Sequence, residues 1–221
     1  MSKTKKIKQK TTGFDILFRV TTVILGVAIF PVAYFQKMFT LILYHGDILG
    51  GTIFNKSVSE LKETYNTYFG MFGKLDNTSE IMKNHDLIPL YIAVGLFLLA
   101  LVMALAFILT AAFSNKASVV AGFSLAGIVF MIASYVSFTF FFARPLINGT
   151  IDLASLLGIS GIANLFFSGL MAVKVFKLEG AFFSVLFLML AVFIWAAAVL
   201  VVNASEEKSK KQAVNKKAKN K

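Results

Sequence analysis

The sequence predicts an all-α fold, a polytopic bundle of transmembrane helices, on three observations. Five long runs are almost free of charge, lysines crowd both ends of the chain, and 57% of the residues are hydrophobic against 15% charged. A water-soluble domain of 221 residues cannot bury that much apolar surface, so a soluble globular fold is excluded. The absence of cysteine excludes a disulfide framework, a thiolate metal site and redox chemistry at sulfur.

Charge divides the chain into a basic cytoplasmic tail over 1–13, a single membrane domain over 14–203 and a second basic tail over 204–221. The tails hold five and seven lysines of a chain whose net charge is +11. Lysines beside apolar helices orient them and contact anionic head groups. The expected partner of these tails is therefore a bilayer with anionic lipids, and no nucleic acid is expected.

The first apolar run, 14–44, follows a basic segment, as a signal peptide does. No small-residue cleavage site follows it, and the chain continues as Tyr34-Phe35-Gln36-Lys37, so the run reads as an uncleaved anchor. Pro31 should kink it. As one helix it would reach about 46 Å, longer than the roughly 30 Å hydrocarbon core, so one end should project into the interface.

Residues 45–86 form the one sizeable polar insertion, with four lysines and six acids. With 1–13 in the cytoplasm, one crossing places this loop outside. Ser57-Val58-Ser59-Glu60 has capping-box spacing, and Leu61, Tyr65, Tyr68, Phe69 and Phe72 recur at helical intervals, predicting a small outer amphipathic helix.

Runs 87–113 and 119–143 form a helical hairpin through a tight turn carrying Lys116. Arg144-Pro145 should end it, because proline disfavours helical geometry in the residue before it. Two further runs follow, 153–173 and 181–203, separated by residues 174–180. Five spans put Lys174 and Lys177 inside but the C-terminal tail outside. Four spans plus a re-entrant 153–173 put both tails inside but these two lysines outside. Hydropathy leaves both arrangements open.

Asp15 and Arg19, four residues apart on the first helix, can pair at the cytoplasmic boundary. His45 and His85 bracket the outer loop, each near an aspartate, Asp47 and Asp86. Two imidazoles and two carboxylates would make a divalent-metal ligand set, although the spacing matches no ligand motif. Tyr65, Tyr68, Phe69 and Phe72 form an aromatic stripe suited to packing or to a partner. Ser160, Asn164 and Ser168 share one face of the fourth run, where asparagine and serine bond neighbouring helices.

No span from residue 87 onward contains an acid, a base or a histidine, which argues against proton or ion coupling inside the membrane. No HExxH, GxSxG, Walker A or GxGxxG motif is present, so no enzyme and no cofactor are expected. A first helix, a larger outer loop, a tight hairpin and basic tails together resemble the layout of tetraspan proteins such as the claudins. The tryptophan motif and cysteine pair of a claudin outer loop are missing, the single tryptophan being Trp195 in the last run. The expected function is that of an accessory or scaffold subunit acting through lateral contacts with a membrane protein partner or further copies of itself. The alternative is an oligomeric channel or facilitator for a small solute or ion. Twenty-four phenylalanines, abundant lysine and no cysteine lean toward a bacterial plasma membrane.

Overall fold

The computed structural model describes residues 13–44, 51–57, 85–114, 116–152, 156 and 172–219. In chain order these form α1 (Gly13–Phe35), β1 (Lys37–Tyr44), β2 (Gly51–Ser57), α2 (Ile88–Phe113), α3 (Ala117–Phe138), α4 (Arg144–Ile147), β3 (Ala172–Leu178) and α5 (Gly180–Lys219). A 3-10 turn, His85–Leu87, leads into α2, and a π turn, Thr139–Ala143, joins α3 to α4. Among the described residues, four helices are long and apolar enough to cross a membrane: Gly13–Phe35, His85–Phe113, Ala117–Ile147 and Gly180–Glu206. That is compatible with a helical membrane bundle.

The four long helices close a ring in which each packs on two neighbours, in the order α1, α2, α3, α5 and back to α1. Their inner faces meet in one apolar cluster that includes Phe18, Ile29, Phe107, Met131, Phe182 and Met189. On the outside, side chains such as Ile24, Leu98, Val129 and Phe187 are more than half exposed. In a bilayer such a surface is solvated by acyl chains, whereas in water apolar area on this scale would drive association.

A three-stranded antiparallel sheet in the order β2-β1-β3 stands at one end of the ring. Its presence follows from chain continuity. β1 leaves the end of α1 and β3 enters the start of α5, and these two helices pack together, so the strands meet side by side and satisfy each other's backbone groups. Phe39 and Leu41 pair with Leu178 and Phe176 across the ladder, on the face that meets the bundle. Phe176 lies edge-on to Phe138, with ring centroids 4.9 Å apart, and also packs on Phe142 and Phe39. A second apolar cluster beneath the sheet joins these rings to Leu87, Ile151, Leu156 and Val173.

Three sequence expectations change. Run 14–44 is not one long helix: α1 closes with Gln36 N–H donating to Val32 O, and 37–44 becomes the central strand. Arg144-Pro145 does not end the third helix, which continues to Ile147. Proline has no N–H and crowds the carbonyl four residues back, and the π turn immediately before it widens the backbone to accommodate both effects. Gly149, at φ +73°, then terminates the helix, with Thr150 and Ile151 N–H donating to Pro145 O. Residues 174–180 are not a simple connection, since Lys174 and Lys177 belong to β3. Most of run 153–173, and the outer helix expected after Ser57, lie outside the described residues.

Candidate functional site, a crevice in the bundle wall

α1 and α2 are drawn together at Gly26, where a Cβ would collide with Ile108 and Phe107. Nearer the sheet they part. Pro31 and Tyr34 of α1 face Leu90, Phe97 and Leu101 of α2 across an apolar crevice of about 830 Å³. Phe138 of α3, Phe182 of α5, and Met38, Phe39, Phe176 and Leu178 of the sheet form its back and roof. At the wall of the bundle the crevice is flanked by Phe30, Tyr34, Val94 and Leu98, all exposed on the outer surface.

The lining contains no charged residue. Of its two hydroxyl-bearing residues, Tyr34 is exposed at the wall and Ser134 is already committed, donating to Ala93 O at 2.7 Å. One turn nearer the sheet, Ser137 donates to Pro89 O at 2.8 Å. These two bonds tie α3 to α2 behind the crevice, so its back wall is held while its mouth lies between the less extensively packed α1 and α2. A cleft of this size and character suits hydrocarbon or an apolar side-chain cluster.

Above the crevice a polar junction links β1, β3 and α5. Glu179 N–H donates to Met38 O, and Thr40 Oγ1 donates to Glu179 Oε1 at 2.9 Å. Lys177 Nζ lies 3.1 Å from the same oxygen. The Thr40 hydrogen bond, and then Lys177, hold the Glu179 carboxyl below its ordinary pKa. The Glu179 carbonyl in turn accepts from Phe182 N–H in the first turn of α5.

Asp15 and Arg19 stand partly buried near the start of α1, at the end of the bundle away from the sheet. His85 and Asp86 are exposed on the turn before α2. His45, Asp47, Tyr65, Tyr68, Phe69, Phe72, Ser160, Asn164 and Ser168 lie outside the described residues. Among the described residues no group of three or more histidine or acidic side chains is placed to hold a metal ion. Of the candidates chosen from sequence, those among the described residues, Asp15, Arg19, His85 and Asp86, do not line the crevice. Its residues belong to uniformly apolar runs, and the sole mark they leave in the sequence is a clustering of aromatics at the sheet-side ends of the helices. No protein-family model, curated protein or solved structure matches the chain.

Proposed function

We propose that this chain is an integral membrane protein that acts through lateral contacts, as an accessory or scaffold subunit of a membrane complex. The observation that supports this reading is that the bundle is filled along its axis and opens sideways. Phe18, Ile29, Phe107, Met131, Phe182 and Met189 are fully or almost fully buried in the centre of the ring. The buried hydroxyls of Thr22, Ser124, Ser134 and Ser137 are spread among these apolar side chains, and the three serines are bonded to backbone carbonyls. A polar pathway through a single chain has no support there. An oligomeric channel, the second reading, would have to run between copies.

The strand pairing supports four crossings. Asp152 follows the sheet-side end of the third helix, and β3 resumes beside β1, so residues 153–171 begin and end on one side. Both basic tails then share the cytoplasmic side, with the sheet outside. A photoreactive side chain placed at Leu98, at the crevice mouth, tests the lateral reading in native membranes. A discrete adduct with a second membrane protein, recovered in stoichiometric amount from native lipid patches, is the expected result. Recovery of the chain alone, without any protein adduct, would count against it.

A further inference from the structure

The crevice between α1 and α2 has the length of one lipid chain. Gly26 of α1 lies against Ile108 and Phe107 of α2 and closes its inner end. From there the helices part, and along α2 the lining runs from Leu101 out to Leu90, about 16 Å, until Met38 and Leu178 of the sheet roof it. Half of a ~30 Å hydrocarbon core is about 15 Å, the depth of the acyl chains of one leaflet. A side-chain knob from a packing helix fills a hole bounded by four residues, so it would leave most of such a slot empty. The back wall cannot close on the void, because Ser134 and Ser137 bond α3 to the Ala93 and Pro89 carbonyls of α2. An unfilled apolar volume of about 830 Å³ forfeits dispersion contacts along every side chain that lines it.

The outer end of the slot carries a charge that complements a phosphate. α1 ends at Phe35, and exposed Lys37 starts β1 beside Met38 of the roof. Lys37 is close enough to Glu179 for its charge to help hold that carboxyl below its ordinary pKa. Glu179 is already paired with Lys177 at 3.1 Å, so Lys37 is the surplus cation of the three. Tyr34, at the mouth and three residues before Lys37, adds a ring of the kind that settles at the bilayer interface.

Taking the four helices as membrane spans, we propose that the crevice binds a single phospholipid of the leaflet on the sheet side. One acyl chain enters sideways between Tyr34 of α1 and Leu98 of α2 and lies along the slot, while the phosphodiester stays outside beside Lys37. Every phospholipid carries that phosphate, so the site requires no acidic head group. It goes beyond the lateral-contact reading and stands without it, because the ligand comes from the bilayer and not from a partner protein.

The test uses the full chain, reconstituted without any second protein in phosphatidylcholine vesicles. A small fraction of the lipid carries a photoreactive diazirine on one acyl chain, and adducts are mapped by peptide mass spectrometry. Phe97 and Leu101 report on the crevice, and Val129, on the outward face of α3, reports ordinary contact with lipid. Adducts at Phe97 and Leu101 as well as at Val129 are expected. Leu98→Trp plugs the mouth from α2 and Phe30→Trp plugs it from α1, and each should abolish the crevice adducts. An unchanged Val129 yield confirms that a variant is folded in the bilayer. Lys37→Gln should lower crevice labelling about fivefold at constant Val129 labelling. Four results would each overturn the proposal: labelling confined to Val129, crevice labelling that persists in a plugged variant with unchanged Val129 yield, indifference to Lys37→Gln, or equal crevice labelling by a diazirine fatty acid that lacks the phosphodiester. Failure to find a protein adduct at Leu98 in native membranes bears on the lateral partner alone.

Discussion

Gly26 is the residue on which the contact between α1 and α2 turns. A Cβ there meets the Ile108 side chain close to its own backbone and the ring of Phe107, neither of which can swing clear at little cost. Gly26→Ala should therefore lower stability by about 1 to 3 kcal/mol, outweighing the ~1 kcal/mol that alanine ordinarily adds to a helix. Gly95, in α2 with open space around it, is the internal control, and Gly95→Ala should be neutral or stabilising in the same thermal unfolding assay in detergent. Glu179 makes a different prediction at the same scale. Its folded pKa is depressed, so its stabilising contribution is complete above the ordinary carboxylate value and is lost as pH falls through the lowered one. Melting temperature should drop on acidification through that range, and Glu179→Gln should flatten the drop. An equally steep acid profile in the glutamine variant would rule out Glu179 as its source. The sequence marked neither residue: a glycine within an apolar helix and a glutamate between two apolar runs carry no local signature of the groups they meet.

The helices were legible as elements, but their faces were not. In α3 the buried positions Ala117, Val120, Ser124, Gly127, Met131, Ser134 and Phe138 alternate in steps of three and four, as in left-handed helix packing. In α2, Ala93, Ala100, Ala104, Phe107 and Ala111 keep the same rhythm, while Val102, Leu105 and Leu109 point outward. Both faces are apolar, so hydropathy cannot separate them. Residue size does, because small side chains let the backbones approach. The close approach allows Ser134 and Ser137 to reach carbonyls of α2, and Ser134→Ala and Ser137→Ala should each lower stability by about 0.6 to 1.7 kcal/mol. An effect confined to local hydrogen exchange, with no change in unfolding, would mean that these bonds do not bear on the α2–α3 contact. The strands escaped the sequence for a related reason. Lys37–Tyr44 and Ala172–Leu178 are short segments adjoining apolar runs, and periodicity alone does not distinguish such a strand from more helix. What places them in a sheet is the packing of α1 against α5, a contact distant in sequence.

At the scale of the whole molecule, the proposed four-crossing arrangement would reconcile two counts that conflict in the sequence. Hydropathy offered five runs, and the rule that places lysine inside could not be satisfied at both the C-terminal tail and Lys174 and Lys177. Four described helices, with Lys174 and Lys177 on a strand paired to β1, support the proposed arrangement in which the tails share one side and the sheet end takes the other. In that proposed arrangement the crevice between α1 and α2 opens on the outer half of the bundle. The natural absence of cysteine makes this account directly testable, because any introduced thiol is unique. The measurement is labelling of four single-cysteine variants in intact cells with a membrane-impermeant maleimide, using exposed positions at the two ends. Gln36→Cys and Asn148→Cys, at the sheet end, should label from outside, whereas Lys116→Cys and Ser209→Cys should label after permeabilisation alone. Labelling of Ser209→Cys from outside together with Asn148→Cys would require an odd number of crossings and would contradict the account.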